Sequence, residues 1–514
     1  MACHQFFNLV AEPWIPVSDG EGNFIYLSLE EVFVRKDIVD LSVGPMERIA
    51  LMRLFLCIIY AANGVGDGAD SPMLERCVAY LAKWRDRFYL CHGQYPFLQY
   101  AGLEGENKPW TTLAFSKTSG NNLVIRGNDG RSNGNDEWQT DIAARELALY
   151  LLTFQNFHGS GTAGTGTWQE EELPNAGGKS GQCKNNVHLF ILKKSLEKTL
   201  LANFVPLGKL PKICNDFLGR PVWEGYPEKN FFEKNAKNAA KTFLGRLVPW
   251  SRAVLLRQPV GNGPWQVSVA TGLERKFLCE DEKGDQNAPA MRGLTTTIIV
   301  QKKGGKNETV EKILKINPKK SLWRDAHVVA LADYRRDRDG WSIVCAPILR
   351  PFLESPTSDY IIWCGGVAYH GRMGGAVEIA VEDHWPIGNA ALRGQAEHRE
   401  RFVAKAEEMA KKLGRAGAEC KKGAKLSSAY WATLDVRQGL MHELLRQEMA
   451  QKQGTENGGK GQGPLERWER ELQQVALAIF DDECAPQNSA QWAVYVRGRR
   501  QIFETFNVGN GDGK

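Results

Sequence analysis

"VEIAVEDHWPIGNAALRGQAEHRERFVAKAEEMAKKL", residues 377–413, changes its period halfway along. Val377, Ile379 and Val381 alternate with Glu378 and Ala380 as in a half-buried strand, and Pro386 then interrupts the pattern. Beyond it Phe402, Ala406, Met409 and Leu413 recur at steps of four, three and four, which is one face of a helix. A chain that passes from period two to period 3.6 at a proline is expected to leave a sheet-bearing domain there and enter a helical one.

Downstream the helical spacing persists. Leu426, Tyr430, Leu434, Leu440, Leu444 and Met449 form a second stripe, Leu465, Trp468, Leu472, Val475 and Ile479 a third, and Trp492, Tyr495, Val496, Ile502, Phe503 and Phe506 a fourth. The segment "GTENGGKGQGP" before the third stripe reads as a flexible linker whose proline suits a helix start. Four amphipathic helices with modest connections can close around one core, with these aromatics inside.

Upstream the signals are mixed. Helical stretches at residues 46–62, 71–87 and 140–152 alternate with β-like runs at 6–17, 23–29 and from Val187, and short β-like runs dominate 248–381. Two stretches interrupt them: 105–136, poor in periodicity, and the glycine-rich 159–181. The predicted fold class is therefore α+β: a large mixed α/β N-terminal domain, residues 1–386, followed by an all-α four-helix bundle, residues 387–514.

The chain's 514 residues exceed a single ordinary core, and 43% apolar with 24% charged side chains is a globular balance. Lys and Arg outnumber Asp and Glu by 65 to 60, so a polyanionic partner must be argued from local patches, each of which reads first as a solvated face. The start lacks the pattern of a signal peptide, and the longest apolar stretch, residues 49–65, contains Arg53 and falls short of the roughly 20 residues of a membrane span. A cytoplasmic location without membrane contact is expected. Eleven cysteines stand singly with no CxxC, which supports neither a zinc site nor a disulfide framework, and no cofactor is expected.

"NAGGKSG" at residues 175–181 ends like a phosphate-binding P-loop, but Leu173 stands where that motif needs glycine. Its alternatives are a plain surface loop, or a bare backbone at Gly177 and Gly178 that can lie against a sugar-phosphate edge with Lys179 neutralising charge. No GxSxG or HExxH pattern occurs, and His92, His158 and the Asp383-His384 pair are isolated in sequence. That favours a binding protein over an enzyme. The alternative is a stand-alone nucleic-acid processing nuclease built on those histidines.

The stretch "IIWCGGVAYHGRMGGAVEI", residues 361–379, reads as a hairpin whose glycine pairs, Gly365-Gly366 and Gly374-Gly375, can take positive φ and let a long tip leave the sheet. Tyr369, His370, Arg372 and Met373 are expected at that tip. Turning alone requires none of them.

Together with this hairpin, "FNLVAEPWIPV" (7–17), "RFYLCHGQYPFLQ" (87–99), "SGNN" from Ser119 and "KKSLEKTLLANFV" (193–205) resemble, in order and spacing, the CasA family of large subunits of type I-E CRISPR Cascade complexes. The resemblance implies a mixed N-terminal domain, a C-terminal bundle and no catalysis by this subunit. It implies as partners the backbone, small and guide-end-binding Cascade subunits, the CRISPR guide RNA, double-stranded target DNA and a helicase-nuclease. Guide RNA reads the target by pairing, and the protein reads a short adjacent motif, the PAM. By resemblance the DNA contacts are Gly177, Gly178 and Lys179 in a glycine loop, with residues 158–166 a second candidate for that loop. Lys276 would be a minor-groove lysine, and Tyr369, His370, Gly371 and Arg372 a wedge. A glutamine known at the family's wedge is missing here. Asn121, Asn122, Val124, Ile125 and Arg126 resemble the loop that docks on the guide RNA end, a segment expected to order on assembly.

Overall fold

The computed structural model describes residues 6–64, 72–115, 142–159, 163–173, 181–206, 210, 218–225, 238, 241–259, 264–272, 294–296, 298–302, 309–326, 335–336, 341–344, 346–349, 360–370, 376–387, 392–452 and 463–506. The chain forms two compact units. The first comprises Met1–Leu322, Asp333–Ser355 and Tyr360–Trp385, the second Trp323–Ala332, Pro356–Asp359 and Pro386–Lys514.

In the first unit helix α1, Pro45–Asn63, starts with proline in its first turn and ends at Gly64 with φ 61°. The side chains from Arg48 to Tyr60 are all buried, so this helix is a core element without a polar face. Arg48 is tolerated there because Asp40 receives both guanidinium arms, at 2.7 and 3.0 Å, and the Leu41 carbonyl accepts at 2.9 Å. Among the described residues no helix is long and apolar enough to cross a membrane.

Helix α2, Ala144–Phe157, leads towards a three-stranded sheet made of β1 (His188–Leu192), β2 (Tyr360–His370) and β3 (Ala376–Ile387), with β2 in the middle. β1 and β2 run antiparallel with His188 opposite Gly365 and Leu192 opposite Ile361. The Gly365-Gly366 pair, expected to release a turn, lies inside β2, and neither residue takes positive φ. Glycine is required there for closeness instead. A Cβ on Gly365 would meet the Trp363 ring at 2.5 Å, and one on Gly366 the Asn186 carbonyl oxygen at 2.3 Å.

The two stretches read as loops are partly built into sheets. In the first, Glu104–Gly105 and Lys108–Pro109 are strands, and the turn of 3-10 helix Trp110–Leu113 buries Trp110 and Leu113. In the second, Gly166–Trp168 and Glu171–Leu173 pair as a hairpin turned by Gln169 and Glu170, both at positive φ. Trp168 is buried there and donates to the Ala101 carbonyl at 2.8 Å.

Among the described residues the second unit holds four helices, α3 (Leu392–Glu419), α4 (Gly423–Lys452), α5 (Pro464–Glu483) and α6 (Ser489–Phe503). α3 packs on the other three, and the three-residue link to α4 makes that pair antiparallel. Phe402, Met409, Leu413, Leu426, Tyr430, Leu434, Trp468 and Leu472 are completely buried in one core. That core also takes in Trp323, whose indole donates to Asp435 at 2.8 Å, a contribution that residues 387–514 alone lack. The fourth stripe differs from expectation. Ile502 and Gly498 face the core while Trp492, Val496 and Phe503 are exposed.

Candidate nucleic-acid interface

Tyr369, expected at an exposed tip, belongs to β2 and is buried. Its hydroxyl donates to the backbone carbonyl of Phe157, the last residue of α2. Burial raises the pKa of that hydroxyl, with Cys183 as the secondary cause, so it stays a donor. The Tyr369 N–H donates to Asn185 Oδ1 at 2.9 Å, and the Asn185 N–H returns a bond to the Val367 carbonyl at 2.9 Å. Asn185 has φ 60°, a conformation asparagine tolerates better than most side chains. Lys184 carries its ammonium 4.4 Å from the Tyr369 ring centre, within cation–π range, and partial burial lowers its pKa.

The glycine-rich stretches meet the same place. The N–H of Gly181, which closes 174–180, donates at 2.8 Å to the carbonyl of His158, which opens the other stretch. A Cβ on Gly181 would lie 2.3 Å from the Asn156 carbonyl oxygen, so only glycine fits. The hairpin base and the residues flanking the two glycine-rich stretches thus share one hydrogen-bonded node of residues 156–158, 181–186 and 367–369.

His370 ends β2, with its side chain outside the described ones. Gly177, Gly178, Lys179, Lys276, Gly371, Arg372 and the guide-end loop residues Asn121, Asn122, Val124, Ile125 and Arg126 lie outside the described residues. Lys184 and Asn185, absent from the sequence-based set, are the additions. The dipeptide Asn185-Asn186 was the available signal, since asparagine marks positive-φ turns.

The candidate catalytic histidines have other occupations. His92 Nδ1 accepts the N–H groups of Gln94 and Tyr95, at 3.0 and 2.9 Å, and shapes a turn. His384 is exposed on β3, its N–H donating to Asp383 at 2.8 Å. His158 is buried, accepts from Arg252 Nε at 3.2 Å, and has its pKa pushed down to about 3, by burial first and the Arg252 charge second. His188, bonded to Thr295 at 2.8 Å, is likewise pushed down to about 3 by burial and then by Arg53.

These two histidines should make the fold acid-sensitive. Their folded pKa lies below the unfolded value of about 6.5, so their contribution is complete above pH 6.5 or so and is lost as pH falls towards 3. At about pH 5 each should cost about 2 kcal/mol of stability. Urea unfolding at about pH 7.5 and about pH 5 measures this, and equal stability at both would contradict it.

The family model for CRISPR-associated protein Cse1 matches residues 8–479. Over an alignment of 141 residues the chain is 34% identical to the CRISPR-associated protein CasA/Cse1 of Thermus thermophilus, covering 24% of this chain and only 27% of that relative's length. The crystal structure of CRISPR-associated protein Cse1 from Acidimicrobium ferrooxidans has a TM-score of 0.72 at 18% identity, over 98% of each chain. A chain of a CRISPR RNA-guided surveillance complex has a TM-score of 0.64 at 17% identity, over 97% of this chain and 99% of that one. The likeness to both solved structures is one of fold.

Proposed function

The chain belongs to the CRISPR-associated protein Cse1 family, and we propose that it is the large, non-catalytic subunit of an RNA-guided surveillance complex, where it reads the PAM in duplex DNA and starts strand opening. The observation that carries this reading is the node itself. It joins the base of the β2–β3 hairpin by one hydrogen bond to Phe157, beside the 158–166 stretch, and by a second, from Gly181 to His158, to the end of the other stretch. A bare glycine backbone can approach a groove edge, a lysine can neutralise phosphate, and an inserted side chain can unstack a base step. The minor groove distinguishes few base pairs, so a family of related PAMs is expected.

In this reading Gly177, Gly178 and Lys179 approach the PAM, Lys276 reaches the minor groove, and residues 370–373 form the wedge. Residues 121–126 meet the guide RNA end. The partners are the backbone, small and guide-end-binding subunits, guide RNA, target duplex and a recruited helicase-nuclease, all in the cytoplasm. The nuclease alternative has less support: a histidine with a pKa of about 3 is a poor base at neutral pH, and His92 Nδ1 is already taken.

Gel shifts of PAM-containing duplex with and without the guide-loaded assembly, beside a metal-supplemented nuclease assay, test the reading. Guide-dependent binding without cleavage is expected. Cleavage by the protein alone, abolished by His92→Ala or His384→Ala, would overturn it. Lys179→Ala and Lys276→Ala should each weaken target binding by about 1 kcal/mol and flatten the salt dependence by about one unit. A variant with unchanged affinity and slope removes that lysine from the interface.

A further inference from the structure

We propose that Tyr369 and Asn185 clamp the hairpin to the glycine-rich stretches, so that PAM reading and strand opening act as one mechanical unit and Tyr369 is a positioning residue rather than a DNA contact. The inference rests on the DNA-reading function proposed above and names what couples its two parts.

The clamp has four bonds. Tyr369 OH donates to Phe157 O, Tyr369 N–H to Asn185 Oδ1, Asn185 N–H to Val367 O, and Gly181 N–H to His158 O. Each lies next to a stretch assigned to DNA. Tyr369 stands two residues before 371–375, Gly181 directly after 174–180, and Phe157 two residues before 159–166. A displacement of either glycine stretch therefore reaches the hairpin through a few covalent and hydrogen bonds, without crossing the sheet.

Two close approaches stiffen the arrangement. Gly366 sits against the Asn186 carbonyl and Gly181 against the Asn156 carbonyl, each leaving no room for a methyl group. Cys183 donates back to Asn156, through its N–H at 3.1 Å and its thiol at 3.5 Å. Lys184 holds its ammonium over the Tyr369 ring face, 4.4 Å from its centre, which adds a contact on the same side chain. The tyrosine thus supplies a directional bond at a position where phenylalanine would supply the same bulk.

Tyr369→Phe and Asn185→Gly each remove one arm. The glycine keeps the positive φ of residue 185 while deleting the acceptor for Tyr369 N–H. Guide-loaded complexes carrying either variant are to be titrated with a closed PAM duplex and with the same target pre-opened beside the PAM. The closed duplex should bind about threefold to tenfold more weakly and the pre-opened one within about twofold of the parent. A merely structural bond would lower both affinities together. Equal loss on both targets, or no loss on either, overturns the clamp, and Asn185→Gly keeps the test open if Tyr369→Phe fails to fold. The wedge reading is distinguished by a Gly-Ser replacement of residues 370–373 run alongside. If that replacement loses the closed duplex and the two point variants do not, the clamp falls alone. If that replacement loses nothing, the wedge reading falls and the clamp with it.

Discussion

Replacing residues 370–373 by Gly-Ser, with Tyr369 kept, should weaken the guide-loaded complex's binding to closed duplex by about a hundredfold. Opening a base step costs about a few kcal/mol, and each 1.4 kcal/mol or so is tenfold in affinity. A target already opened beside the PAM needs no such work and should bind within about threefold of the parent. Keeping Tyr369 matters because it is buried and bonded to Phe157, so removing it would disturb the base of the hairpin together with its tip. Titration of both targets by gel shift or interferometry decides the matter. Equal losses would make the tip an ordinary contact surface, and unchanged affinities would make it an exposed turn without a role.

What sequence patterns reveal of this site is uneven, and the reason is the range of the contacts. The strand character of β2 is legible because Ile361, Ile362 and Trp363 favour a pleated surface whatever lies beside them. The fate of Tyr369 is not legible, since its two partners are 184 and 212 residues away. Glycine is ambiguous in principle. It serves positive φ and close approach equally well, and only the neighbouring Asn186 carbonyl reveals which use Gly366 has. The 166–173 hairpin was hidden by its turn, because Gln169 and Glu170 take the positive φ values that asparagine or glycine would advertise. In the bundle the stripes were legible as faces but not in fine phase. On the 30-residue helix α4 the buried side chain is Met441, seven residues from Leu434, while the expected Leu440 is exposed. A contact face recurs close to seven residues along a helix, and six falls off it.

Trp468 and Trp492 sharpen that distinction into a measurement, since both are tryptophans on apolar stripes of adjacent helices. Trp468 is completely buried, stacks on Phe402 with ring centres 6.3 Å apart, and donates its indole N–H to the Phe402 carbonyl at 3.0 Å. Trp468→Ala should destabilise the bundle by about 3–5 kcal/mol, because it opens a cavity that the surrounding core fills only in part. Loss of the indole bond to the Phe402 carbonyl, which keeps its partner within the helix, adds about 1 kcal/mol at most. Trp492 is 55% exposed, and Trp492→Ala should change stability by less than about 0.5 kcal/mol. Denaturant unfolding followed by helical circular dichroism reads both. Each unit is compact in itself, so Trp468→Ala should split the transition, with the bundle's share of the helical signal lost first and that of α1 and α2 left in place. A single shifted transition in which both signals move together would show instead that the bundle and the sheet-bearing unit unfold as one.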